Sequence, residues 1–128
     1  MAIINNFRDL KVYQAARIEA QKIYLCTRSF PAEEKYALTD QIRRSSRAVK
    51  AMLAEAWARR RYRAVFVNKL DEALGEATET QSWLDDCLDC GYVRPEEHQQ
   101  MNAAWQGIGA MLQKMIQRAD DFCGQPET

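Results

Sequence analysis

The chain has 128 residues with 18 Lys/Arg against 18 Asp/Glu, so its formal net charge is zero. That length and an apolar content of 47% fit one compact domain over 1–128, with enough apolar surface for one core. No apolar run reaches the length of a membrane span, "MAIINNFRDLK" carries neither a signal-peptide core nor a cleavage site, and four cysteines without secretion signals read as reduced thiols. The expectation is a cytoplasmic protein without membrane contact.

Helical spacing dominates the chain, and strand-like alternation is nearly absent. Four helices are expected, over about 8–28, 32–60, 63–90 and 95–122. The first presents Leu10, Tyr13, Ala16, Ala20, Ile23, Tyr24 and Thr27 on one stripe. "SFPAEE" breaks it, with Ser29 placed to cap, Pro31 suited to a first turn, and Glu33 and Glu34 favouring a helix N-terminus. The second helix presents Leu38, Ile42, Ser45, Val49, Met52, Leu53 and Ala56. Continuing it would put Arg60 on the core side, so it should end near Arg59–Tyr62.

The third helix has the cleanest stripe: Phe66, Leu70, Ala73, Ala77, Thr80, Leu84, Cys87 and Leu88, with Gly91 as its C-terminal cap. Pro95 and two glutamates open the fourth, which buries Met101, Ala104, Trp105, Ile108, Met111, Leu112, Met115, Ala119 and Phe122. Short connections make neighbours antiparallel, giving an all-α, up-down-up-down four-helix bundle. The cluster Arg59–Arg63 then caps the pole near both chain termini.

Charge is unevenly spread. Residues 41–70 carry nine basic side chains against Glu55 alone, and 71–97 carry nine acids against Arg94 alone. On the second helix Arg43, Arg47 and Lys50 lie within about 60° of one another and away from the core stripe, so they are read as outward-facing. Arg59, Arg60, Arg61 and Arg63, with Arg44, are the candidate nucleic-acid-binding residues: arginine neutralises phosphates and adds bidentate contacts, while Trp57 and Tyr62 lie near enough to stack on bases. Overall neutrality argues the other way, because nucleic-acid-binding domains are commonly strongly basic.

The competing role is a subunit interface. Arg43, Arg47 and Lys50 would meet Glu72, Glu76 and Glu79 of the next copy, with Trp83 as an anchor. Complementary patches on different faces suit head-to-tail rings. Nothing in the chain offers comparable compensation for the Arg59–Arg63 group.

Other chemistry finds little support. Cys26, Cys87, Cys90 and His98 map to one pole, but Cys87 lies on the core stripe and a free cysteine usually packs as a small hydrophobe, so no metal is expected. There is one histidine, no phosphate loop and no nucleophile elbow, so neither catalysis nor a cofactor is expected.

Four blocks then occur in order: "FRDLKVYQAA" (Phe7 to Ala16), "FPAEEKYALTDQIRRSS" (Phe30 to Ser46), "LAEA" (Leu53 to Ala56) and "CGYV" (Cys90 to Val93). Together they resemble the four-helix-bundle proteins encoded in intervening sequences of bacterial 23S rRNA genes. The resemblance implies an antiparallel bundle assembled as a homopentameric ring, and it is similar to retroelement accessory proteins that work beside a reverse transcriptase and its RNA. Those partners are expectations from resemblance alone. Relative to the family pattern, Met52 stands where Asn is usual, Ala56 where Gly is usual, and Glu76 follows Gly75 where Ser is usual.

Overall fold

A computed structural model describes residues 4–124. Among them every regular element is helical, with no strand: α1 is Lys11–Thr27, α2 Leu38–Ala58, α3 Arg63–Asp89, α4 Pro95–Gln117 and α5 Ala119–Cys123. The helices pack as a bundle in which α2 lies chiefly against α3 and α1, and α3 against α4.

Most residues of the expected stripes form the core, but Tyr24, Met52, Leu88, Met101, Ala104, Met111 and Phe122 are only half-buried. Ile23, Ile42, Leu53, Phe66, Leu84 and Trp105 are among the fully buried side chains, as a 3.6-residue apolar period requires when several faces share one interior. Two hydroxyls lie within it. Ser45 Oγ and Thr80 Oγ1 are 2.8 Å apart across α2 and α3, and Thr80 also donates to the Glu76 carbonyl at 2.9 Å. Those bonds satisfy groups that would otherwise be costly to bury.

Helix ends are where expectation and structure part. The first helix begins as a 3-10 turn at Phe7–Asp9, capped by the Asn6 side chain accepting from the Arg8 N–H at 2.9 Å. The extended Leu10 then separates it from α1. Pro31 likewise leads into a 3-10 turn at Ala32–Glu34, and α2 starts only at Leu38. That segment is held from outside: Phe30 packs on Tyr92 with ring centroids 5.0 Å apart, and the Tyr92 hydroxyl donates to Glu34 at 2.8 Å. Ser29 does not cap this start; its hydroxyl donates backward to the Cys26 carbonyl.

The end of α3 follows sequence expectation closely. Gly91 takes φ 74°, a conformation that disfavours side chains, and donates to Leu88 while Tyr92 donates to Cys87. This is the Schellman arrangement, which satisfies the last carbonyls. The fourth helix is not continuous to 122. Arg118 leaves helical geometry at φ −105°, ψ 27°, and α5 turns Phe122 onto Phe66 with centroids 5.9 Å apart. No proline or glycine marks that break in the sequence.

Candidate functional site

The basic stretch divides where α2 ends. The Arg59 N–H closes the helix on the Glu55 and Ala56 carbonyls. Arg60 does not extend into solvent. Its guanidinium lies 3.9 Å from the Trp57 ring centroid and Nη1 donates to the Trp57 carbonyl at 2.8 Å, so it seals the C-terminus of α2. This corrects the expectation for Trp57: at 9% exposure, with Arg60 over its ring, it has no open face for a base.

Arg61 and Tyr62 do face outward. Tyr62 is 50% exposed, with the Arg61 guanidinium 4.7 Å from its ring centroid and bonded to its hydroxyl at 2.7 Å. The expectation that nothing compensates the cluster fails at Arg63, whose Nε pairs with Asp120 at 2.6 Å. That pairing holds the Arg63 pKa above its usual value. Arg59, Arg60 and Arg61 enter no ion pair among the described residues. A cavity of 410 Å³ opens beside them, lined by Ala58, Arg60, Arg61, Phe122, Cys123 and Gly124.

Upstream, Arg43 is less outward than its azimuth implied. It is half-buried, Nε donates to Thr27 Oγ1 at 2.8 Å, and its guanidinium lies 4.8 Å from the Tyr24 ring centroid. Arg47 lies over the same ring at 5.4 Å. These side chains therefore line the seam between α1 and α2. Arg44 is exposed and bonds Gln41 at 3.0 Å.

On α3 the expected acidic mates have varied surroundings. Glu72 is tied to Lys69 at 3.4 Å, and Lys69 also pairs with Glu55 across the α2–α3 seam at 3.2 Å. Trp83 is half-buried and packs against the core, more enclosed than the exposed-side anchor expected. Glu76 is half-buried, with Oε2 shielded from water and without a hydrogen-bond partner. Burial, then the neighbouring Glu79 carboxyl, raise its pKa; the Arg44 charge opposes them.

The pH consequence follows from that direction. A carboxyl whose pKa is higher folded than unfolded favours folding while protonated, and that contribution is lost as pH rises from about 4.3 through the folded value. Glu76→Gln should therefore melt above the parent at pH 7.5, with the gain vanishing near pH 4. Equal melting differences at both pH values would show that Glu76 carries no such penalty.

The thiol pole is not assembled as a ligand set. Cys87 is buried, which pushes its thiol up to about 12, Cys26 is half-buried and Cys90 exposed. His98 Nε2 instead meets Asp85 at 2.9 Å. Among the described residues no three His, Cys, Asp or Glu side chains converge to hold a metal ion, and no helix is long and apolar enough to cross a membrane.

Ile18 and Leu25 form an apolar ridge that the core stripes did not reveal. They are 56% and 53% exposed on α1 and line a 580 Å³ groove with Gln14, Arg17, Gln21 and Lys22. Positions 14, 18, 21 and 25 follow the 4-3-4 spacing of a helix-packing seam. The signal was two large aliphatics seven residues apart, off the core stripe.

No curated protein matches the sequence. A solved structure from Bacteroides thetaiotaomicron VPI-5482, described as a protein with unknown function from the S23 ribosomal protein family, is similar at 29% identity and a TM-score of 0.75, over 83% of this chain and 95% of that one. The model of the family described as 23S rRNA-intervening sequence protein matches residues 8–114, and the chain belongs to that family.

Proposed function

We propose that this chain is a non-catalytic subunit of an oligomeric, antiparallel four-helix-bundle scaffold that binds nucleic acid through arginines at the end of α2. The observation that carries this reading is the exposed Arg59, Arg61 and Tyr62 group, whose arginines have no acidic partner among the described residues. Uncompensated guanidinium groups beside an exposed ring supply both parts of single-strand recognition, phosphate neutralisation and stacking. RNA is the first polyanion to test because the family is described by 23S rRNA intervening sequences.

Antiparallel order is supported by pairings in which one number rises as the other falls: Arg43 with Thr27 and Arg47 with Tyr24, or Ser45 with Thr80 and Glu55 with Lys69. Assembly is supported by the Ile18 and Leu25 ridge, since exposed apolar side chains at seam spacing are stabilised by a partner helix. A ring, pentameric in the family as resemblance implied, repeats the arginine group around one axis. It would then act as an adaptor, with a protein client of the reverse-transcriptase kind. The second reading is a purely structural oligomer whose arginines serve subunit contacts. Its specific support is that Asp71, Asp86 and Asp89 on α3 are exposed and likewise without ion-pair partners among the described residues.

Filter binding to a structured RNA separates these readings. Arg59→Gln with Arg61→Gln should weaken binding about tenfold and flatten the salt dependence by about 1.4–1.8 in log–log slope, roughly 0.7–0.9 for each phosphate no longer neutralised. Arg60 is left in place because it seals α2. An unchanged slope assigns the arginines to subunit contacts.

A further inference from the structure

We propose that the seam between α1 and α2 contains an anion cradle for one phosphate group, formed by Arg17, Arg47 and Lys50 with the Gln21 amide. These residues and Ala20 line a cavity of 270 Å³, and Arg17 and Gln21 also border the Ile18–Leu25 groove, so the cradle stands at the edge of the proposed helix-packing seam. That is room for several waters at about 30 Å³ each, or for a phosphate that keeps part of its hydration. Every polar side chain lining the cavity is a cation or an amide, and none is an acid.

Three observations favour an anion over water alone. The first is compensation. Lys22 on the same face of the bundle pairs with Glu19 at 3.1 Å, whereas Arg17, Arg47 and Lys50 enter no ion pair among the described residues. Like charges gathered on one cavity repel, and a bound anion turns that repulsion into attraction. The second is preorganisation. Arg47 lies over the Tyr24 ring, and Arg43, one turn earlier, is fixed on the same ring and on Thr27. Guanidinium groups already restrained lose less freedom on binding. The third is access: Ala20 is the smallest lining residue and is itself buried, so it forms a low floor between two helices.

The cradle also continues into a row. Arg43, Arg47 and Lys50 stand at i, i+4 and i+7, spanning about 10 Å along α2 at 1.5 Å per residue. A phosphate here can come from a nucleic-acid backbone or from a small polyphosphate. Only the first source rests on the proposed function; anion binding at the cradle stands without it.

Sodium tripolyphosphate and a 20-nucleotide RNA distinguish the two sources, each titrated against the full chain by calorimetry and by anisotropy at several salt concentrations. Arg17→Gln, Arg47→Gln and Lys50→Gln combined should weaken tripolyphosphate binding at least tenfold. Removing the same charge elsewhere, through Arg8→Gln, Arg28→Gln and Lys35→Gln, should weaken it less than threefold. Arg17→Gln alone, at an exposed position, should cost about threefold and covers any failure of the triple variant to fold. If the cradle also takes one backbone phosphate, the triple variant loses about 0.7–0.9 from the RNA salt slope, additively with Arg59→Gln and Arg61→Gln. Cradle-dependent tripolyphosphate binding without RNA binding supports the cradle and sinks the proposed function. Equal losses in the triple variant and its control overturn the cradle, as does absent tripolyphosphate binding with an unchanged RNA slope. So does dissociation of the oligomer by the triple variant with RNA slope intact, which would assign these cations to a neighbouring subunit's acids.

Discussion

Trp105→Ala should lower folding stability by about 3–5 kcal/mol, the range for emptying a large aromatic site. For a chain of this size that is a melting shift of about 10–20 °C. Trp105 is 0% exposed and sits on α4 in the centre of the bundle, so truncation leaves a cavity that neighbouring helices only partly close. Trp105→Phe should cost much less, about 1–2 kcal/mol. Its indole Nε1 is buried without a hydrogen-bond partner, and replacing the ring with phenylalanine removes that unsatisfied donor along with some packing. Chemical denaturation of both variants measures the difference. Equal losses would contradict this, because they would mean that the phenylalanine ring recovers none of the lost packing.

The second large effect concerns assembly. If the chain assembles as proposed, Ile18→Glu with Leu25→Glu should leave only a 14.8 kDa monomer in sedimentation velocity, with little change in helical content. Both positions are more than half exposed in the single chain, so glutamate is tolerated there and keeps good helix propensity. In a helix-packing seam the same carboxylates would be desolvated without partners. We expect the dissociation constant to rise at least about 100-fold, equivalent to about 2.8 kcal/mol. An assembly unaffected by these charges would place the interface elsewhere, with the α3 acids the next surface to alter.

Much of the fold is legible in the residues because a bundle core is a one-dimensional periodic signal. The stripes through Ile23, Ile42, Leu70 and Ile108 are buried, and Gly91 and Pro95 mark the turn between α3 and α4. What periodicity could not supply was anything set by a neighbouring helix. Leu38 rather than Ala32 begins α2 because Tyr92 holds Phe30 and Glu34 from another connection. Arg118 breaks α4 without a local breaker, as Phe122 packs onto Phe66.

The candidate site follows the same division. That Arg60 ends a helix was readable from its place on the core azimuth; that it stacks on Trp57 was not. Arg63 is compensated by Asp120, which stands 57 positions later and whose pairing no local pattern signals. Arg43 and Arg47 lie away from the core stripe of α2, yet Tyr24 of α1 reaches them. A helical wheel gives each residue its direction but leaves out what stands there.

Central to the proposed function is the binding of a polyanion by this neutral chain through locally uncompensated arginines. Its most direct measurement is the affinity of the wild-type protein for a structured RNA at salt concentrations between about 50 and 200 mM, the range over which a protein neutralising about 6–10 phosphates weakens by about 10³–10⁵ in affinity. Measurable binding is expected at the low end, with a straight log–log decline of several units in slope. No binding at the lowest salt, or an affinity indifferent to salt, would contradict the claim.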